Sequence, residues 1–170
     1  MENFQTSHLG MLTANGFPAS ASTLVGEALH LELVDPIPDQ SQATVQWALV
    51  GRKLFARETL GRVTWRTLKH SNLDTKEGHT VCIEGMEFIL RLPKIGADKR
   101  LSELTWFGDC WALNRDPFLG DDSFVVRGRI IRNAGGNTMM FENVGYEDRD
   151  LDRRLQLIPV MEPIVPLLES

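Results

Sequence analysis

The chain has 170 residues, of which 42% are hydrophobic and 24% are charged, and its formal net charge is −5. This composition is typical of a single globular domain with a substantial core. The acidic balance disfavours a nucleic-acid binder, and no apolar run approaches the roughly 18 residues of a membrane span. The N-terminus lacks the positive and apolar regions of a secretion signal, so the sequence predicts a virion-associated or cytoplasmic protein.

The N-terminal third of the chain divides into an arm and the first strands. Residues 1–23 are rich in Ser, Thr, Ala, Gly and Asn, which predicts a flexible N-terminal arm before a single globular domain over residues 24–170. Apolar residues alternate in Leu29–Leu33 and predict a half-buried strand. Residues 44–57 fit two strands joined at Gly51, although their apolar spacing also fits a helix.

The clearest local signal is a hairpin over Thr80–Leu92. Apolar residues alternate on both sides of Glu84 and Gly85, and a two-residue loop that contains glycine is typical of a tight β-turn. Just upstream, Thr64 is placed to cap a short helix over Trp65–Lys69. These segments predict two strands and one helical turn in the middle of the chain.

The C-terminal half adds further strands. Leu101–Leu113 predicts a short helix followed by an extended piece, and Ser123–Arg132 predicts a strand that returns as a hairpin over Thr138–Val144. Leu155–Val165 predicts a closing strand, which its prolines would confine to a sheet edge. The predicted fold class is therefore α+β: a compact, strand-rich domain with mostly antiparallel sheets and one or two short helices.

Several short segments resemble a known group of domains. In chain order they are Val63–Leu68, Thr80–Leu92, Gly108–Ala112, Val125–Gly128 and Leu157–Glu162. This order resembles bacterial and phage-borne surface or virion-associated domains, whose closing strand is similar to that of C-type-lectin-like folds. The chain departs from that group at 157–159, where an aromatic residue and an arginine would precede the proline. The resemblance implies a compact α+β domain used for recognition rather than for catalysis.

A first candidate site combines aromatic and polar residues. Sugars stack on aromatic rings while carboxylates and amides bind their hydroxyl groups, and Trp106, Asp109, Trp111 and Asn114 supply those groups. The alternative interpretation is that both tryptophans belong to the core. The sequence leaves both interpretations open.

A second candidate site is basic. Arg127 and Arg129 alternate on one predicted strand, and Arg91 and Arg132 are the other arginines considered with them. One guanidinium group can donate two hydrogen bonds to phosphate oxygens at once. These residues are therefore suited to an anionic, nucleotide-like small molecule.

The cysteines and histidines do not make a complete catalytic or metal site. Two cysteines, Cys82 and Cys110, are too few for a disulfide framework. Cys110 would need His70 or His79 as a base, and no nucleophile motif surrounds it. A zinc site would need a second pair of ligands. We therefore predict no catalytic residue, no metal and no cofactor.

These observations favour a non-catalytic recognition domain of a phage particle or bacterial surface assembly. It would bind a protein or glycan partner through loops, chiefly 106–122 and 145–154. The alternative is a small cytoplasmic phage or bacterial protein that sequesters an anionic small molecule or inhibits a host protein. An apolar, proline-rich tail over 160–168 would also allow a homo-oligomer.

Overall fold

A computed structural model of the protein describes residues 5–19, 29–37, 44–94, 110–113, 125–133, 136–142 and 154–164. These residues form thirteen strands and one six-residue helix. The elements are β1 (Gln5–Ala14), β2 (Phe17–Pro18), β3 (Leu31–Val34), β4 (Thr44–Val50), β5 (Lys53–Ala56), β6 (Arg62–Val63), α1 (Trp65–His70), β7 (His79–Ile83), β8 (Met86–Arg91), β9 (Cys110–Leu113), β10 (Val125–Asn133), β11 (Gly136–Glu142), β12 (Leu155–Gln156) and β13 (Val160–Pro163). In the described part of the chain, no helix has the length and hydropathy to cross a membrane.

The larger sheet is antiparallel throughout and curls on itself. Its strands follow the order β2-β1-β4-β5-β13-β8-β7, and β3 also pairs with β1. The strands β3 and β7 lie next to each other, but they do not pair. We call this junction between β3 and β7 the seam.

The first strand contradicts the prediction of an N-terminal arm. Gln5–Ala14 pairs with β2, β3 and β4 inside the larger sheet, and Met11 and Leu12 are buried in the core. The pairing with β4 shifts between His8 and Met11, where β1 advances by one residue more than its partner. Gly10, at φ +75°, lies in this bulge. The bulge interrupts the alternation of apolar residues, which is the signal by which a strand is recognised.

The smaller sheet has the order β11-β10-β9-β12-β6. It shares one hydrophobic core with the larger sheet, because Trp111 and Leu113 of β9 belong to the same buried cluster as Trp47 and Phe55. The Trp111 indole N–H donates to the carbonyl oxygen of Val63 at 2.8 Å, so this buried polar group is satisfied.

The closing segment is divided between the two sheets, which corrects the prediction of a single edge strand. β12 belongs to the smaller sheet, while β13 lies between β5 and β8 in the larger one. Pro159 precedes β13, and Pro163 is its last residue. Because the prolines stand at the borders, Val160 and Met161 between them remain able to pair on both sides and are fully buried.

The local turns and caps agree with the sequence predictions. β4 and β5 form a hairpin through Gly51, and β7 and β8 form a hairpin through Glu84 and Gly85. Both Glu84 and Gly85 have positive φ, at 53° and 77°, as a type I′ turn requires. The Thr64 side chain accepts a hydrogen bond from the Thr67 N–H and caps α1.

The strand-rich, mostly antiparallel architecture is therefore confirmed. The α+β class is not, because the described residues are mostly β-strand and contain one short helix.

Candidate functional site

The seam opens into a cleft of about 450 Å³. One wall is β3, the other is β7, and the two residues that follow α1 also line the cleft. Its polar lining residues include His30, Glu32, Asp35, Ser71, Thr80 and Cys82. The cleft thus lies between two strand edges rather than between loops.

Alternate residues of β3 direct their backbone N–H and C=O groups into the seam. His30 donates its N–H to the Asn15 side chain at 2.9 Å and accepts a hydrogen bond from the Asn15 N–H at 2.8 Å, so its backbone faces β1. Successive residues of a strand direct their N–H and C=O groups to opposite sides. The backbone groups of Leu31 and Leu33 therefore face the seam. The Leu31 N–H agrees with this, since it donates to the Ser71 Oγ at 2.8 Å.

Alternate residues of β7 likewise direct their backbone N–H and C=O groups into the seam from the other wall. Ile83 and Met86 flank the two-residue turn, a position at which facing residues exchange hydrogen bonds. By alternation, the backbone groups of Thr80 and Cys82 point away from β8 and into the seam. In the described part of the chain, no backbone hydrogen bond joins β3 to β7. The seam therefore contains strand-edge donors and acceptors on both walls.

Hydrogen bonds hold the two walls together at each end of the seam. At one end, the Glu84 N–H donates to the Asp35 carboxylate at 2.6 Å. At the other end, the Ser71 hydroxyl donates to the Leu29 carbonyl at 3.1 Å, and the Asn72 carbonyl lies 3.3 Å from the His79 Nδ1. The end of α1 thus fixes the spacing of β3 and β7 at this end.

The titratable groups of the cleft include carboxylates and imidazoles. Its described lining residues include the carboxylates of Glu32 and Asp35 and the imidazoles of His30 and His79, and no lysine or arginine. A bound partner would therefore meet the Asp35 carboxylate and the His30–Glu32 pair along the rim of the cleft.

The His30 side chain contacts both Glu32 of β3 and the last residue of α1. Its Nδ1 lies 3.0 Å from the His70 carbonyl oxygen and its Nε2 lies 2.7 Å from the Glu32 Oε1. A neutral imidazole donates from one nitrogen, whereas the protonated ring donates from both. The hydrogen bond to the His70 carbonyl, and then that to Glu32, raise the pKa of His30 above its ordinary value of 6.5.

This geometry predicts a pH-dependent contribution of His30 to stability. Because the pKa is higher in the folded state, the stabilisation is fully present below pH 6.5 and is lost as the pH rises through the folded-state value. The difference in melting temperature between wild type and His30→Gln should be largest below pH 6.5 and should shrink as the pH is raised above that value. The difference should be small, since the His30 side chain is 47% exposed. A difference in melting temperature that does not change with pH would contradict a raised pKa of His30 in the folded state.

The aromatic candidate site falls partly outside the described residues. Trp106, Asp109 and Asn114 lie there, as do nearly all of the loops 106–122 and 145–154. Trp111 is described and is 0% exposed, with its indole in the core. No sugar can stack on it in this structure, so its assignment as a binding residue is corrected.

The arginine candidate site is not assembled as the sequence suggested. Arg127 and Arg129 lie on β10, opposite Glu142 and Met140 of β11, and their side chains are outside the described part of the structure. Arg91 is buried, and its guanidinium contacts the Glu162 carboxylate at 2.5 Å. Arg91 is therefore a structural residue rather than part of an exposed anion site.

The two cysteines do not form a disulfide. Cys82 is exposed on β7, and Cys110 is fully buried in β9. Burial keeps a substrate away from Cys110, which removes the geometry that nucleophilic catalysis by this thiol would need. Among the described residues, no three His, Cys, Asp or Glu side chains converge as a metal site would require.

The seam was not predicted from the sequence, although both of its strands were. The alternation in Leu29–Leu33 and the turn at Glu84 and Gly85 indicated β3 and β7 separately. Fold and cleft together define a mostly β domain with two neighbouring, unpaired strand edges. No protein-family model, curated protein or solved structure matches the chain.

Proposed function

We propose that this protein is a non-catalytic recognition domain that binds a protein partner at the seam. The observation that supports this proposal is the pair of strand edges that face each other across the cleft without hydrogen bonds between them. Unpaired edges favour association with other chains, and proteins usually protect them with bulges, charges or a covering segment. Here the edges line a cleft large enough to admit part of a partner.

A protein partner fits this cleft better than a glycan. Glycan binding depends on aromatic faces, and the described lining residues of the cleft include no tryptophan, tyrosine or phenylalanine. The exposed polar side chains of Glu32, Asp35 and Thr80 instead offer hydrogen-bond partners for the polar groups of a polypeptide. The resemblance to phage-borne and bacterial surface domains supports placing this domain in a particle or surface assembly.

Site-specific photo-crosslinking tests this function. A photoreactive amino acid is introduced at Thr80 or at Glu32, both exposed beside the cleft, and the protein is irradiated in extracts of its source cells. The matched control is Gln46, which is exposed on β4 of the same sheet, away from the cleft. We expect the same partner to be cross-linked from Thr80 and Glu32, but not from Gln46. Equal cross-linking from all three positions, or none from the seam, would contradict the proposal.

A further inference from the structure

We infer that the exposed side of α1, together with the strands beside it, forms a second interaction surface that binds an acidic segment of another protein. We call this surface the basic face and define it by Arg62, Arg66, Lys69 and Arg154. The basic face is separate from the seam, because none of these four residues lines the cleft. It is therefore a site beyond the one to which the proposed function assigns a partner.

The basic face belongs to a basic stretch in an acidic chain. The chain has 18 lysine and arginine residues against 23 acidic ones, whereas residues 52–69 contain six basic residues and one acidic residue, Glu58. A local excess of positive charge creates a field that attracts anionic groups, even where the protein as a whole is negative. This stretch therefore indicates a partner that carries anionic groups.

The helix α1 has a buried side and a basic side. Thr67 and Leu68 are buried, and the Thr67 hydroxyl accepts a hydrogen bond from the Leu29 N–H at 3.0 Å. This side of the helix is therefore fixed on the rest of the domain. Arg66 and Lys69 are exposed. Residues three apart are neighbours on a helix surface, so these two side chains present their charges close together.

The strands β6 and β12 add two arginines at the start of α1. Val63 of β6 pairs with Leu155 of β12, and α1 begins directly after its N-cap, Thr64. Arg62 precedes Val63, Arg154 precedes Leu155, and both arginines are exposed. The pairing of these two strands therefore brings an arginine from the C-terminal part of the chain to the basic stretch.

Most of the positive charge of the basic face is not neutralised by the described residues. In that part of the chain, Arg62, Lys69 and Arg154 form no ion pair. Asp74 follows α1 and is half-buried; burial raises the pKa of its carboxyl, and the nearby charge of Lys69 partly offsets this rise. Asp74 thus balances part of the charge of Lys69, and the basic face keeps an excess of positive charge.

The packing of Trp65 favours an acidic polypeptide over a single-stranded nucleic acid. Trp65 is half-buried against the core, and the Lys69 Nζ lies 5.2 Å from the centroid of its ring. Proteins that bind single strands stack bases on open aromatic faces, but here the ammonium group of Lys69 covers the ring. Guanidinium and ammonium groups without an open ring match the carboxylates of aspartate and glutamate.

Fluorescence anisotropy with a labelled octaglutamate peptide tests this surface. The full chain should bind the peptide at low ionic strength and more weakly as salt is added, because exposed charges are screened. Arg62→Gln should raise the Kd by about threefold, and Arg62→Gln/Lys69→Gln by about tenfold, since each exposed charge contributes modestly. Both changes are at exposed positions and should leave the melting temperature nearly unchanged.

Arg52→Gln is the matched control, because it removes the same charge from another exposed arginine. Arg52 lies in the turn before β5, which pairs with Val160 and Met161, whereas Arg62 pairs with Gln156. The two arginines therefore lie toward opposite ends of the closing segment. Arg52→Gln should leave the Kd of octaglutamate unchanged. Equal weakening by Arg52→Gln and Arg62→Gln would show a response to net charge alone and would overturn the inference.

Two further probes exclude other occupants of the basic face. An oligothymidylate with the same number of negative charges should bind no more tightly than octaglutamate; tighter binding would assign the surface to nucleic acid and overturn the inference. Octaglutamate binding that appears only after the acidic residues of 147–152 are replaced by amides would make that segment the occupant, with the same consequence. Absence of any peptide binding would also overturn the inference. None of these results alters the cross-linking from Thr80 and Glu32, which tests the proposed function separately.

Discussion

Replacement of Gly78 by alanine is expected to lower the free energy of unfolding by about 3 kcal/mol or more. Gly78 has φ +69°, which is unfavourable for an alanine, and it immediately precedes β7. A Cβ at this position would lie 2.3 Å from the Leu90 carbonyl oxygen and 2.8 Å from the Arg91 Cβ. Both neighbours belong to β8, so the clash can be relieved only by moving two paired strands apart. Urea unfolding of the variant measures this loss.

Gly85→Ala is the matched control in the same hairpin. Gly85 has φ +77°, but a Cβ there would meet no atom within 4 Å. Its cost should therefore be the conformational one alone, about 1 kcal/mol. The difference between the two variants measures the close approach of Gly78 to β8. Equal losses of stability would show that backbone conformation, and not this contact, explains the requirement for glycine at position 78.

Gly78 illustrates which parts of the structure are visible in the sequence. The turn at Glu84 and Gly85, the cap at Thr64 and the hairpin at Gly51 depend on neighbours in the chain, and each was predicted correctly. The need for glycine at position 78 depends on Leu90 and Arg91, twelve and more residues away. Interactions at that separation leave no local pattern.

The same distinction explains the candidate site. Alternation predicted the strands around Leu31 and Val81, but an alternating pattern does not specify which strands are neighbours. The seam arises because the larger sheet curls until its two ends meet, which depends on the order of all its strands. The strand β1 was not predicted for a different reason. The bulge at Gly10 breaks the alternation of apolar residues by which a strand is recognised. Trp111 was a candidate because an aromatic side chain suits both a core and a binding surface, and its burial decides for the core.

Replacement of Glu162 by alanine is the second large effect that the structure predicts. The Arg91 side chain is 2% exposed, and the Glu162 carboxylate lies 2.5 Å from its guanidinium. Arg91 belongs to β8 and Glu162 to β13, so this ion pair joins two neighbouring strands of the larger sheet. Removal of the carboxylate leaves a buried positive charge with less compensation, which should cost about 3 kcal/mol. Thermal and urea unfolding of Glu162→Ala measure the loss.

Lys53→Ala provides the control for this ion pair. The Lys53 Nζ lies 3.7 Å from the same Glu162 oxygen, but both side chains are about one-third exposed, so its loss should cost at most about 1 kcal/mol. The double variant Arg91→Leu/Glu162→Ala should be more stable than Glu162→Ala, because it removes the buried charge together with its partner. If Glu162→Ala costs no more than Lys53→Ala, Arg91 does not depend on this carboxylate. If Glu162→Ala costs the expected amount, Arg91 stabilises the pairing of β8 with β13 and does not serve the anionic ligand for which the sequence made it a candidate.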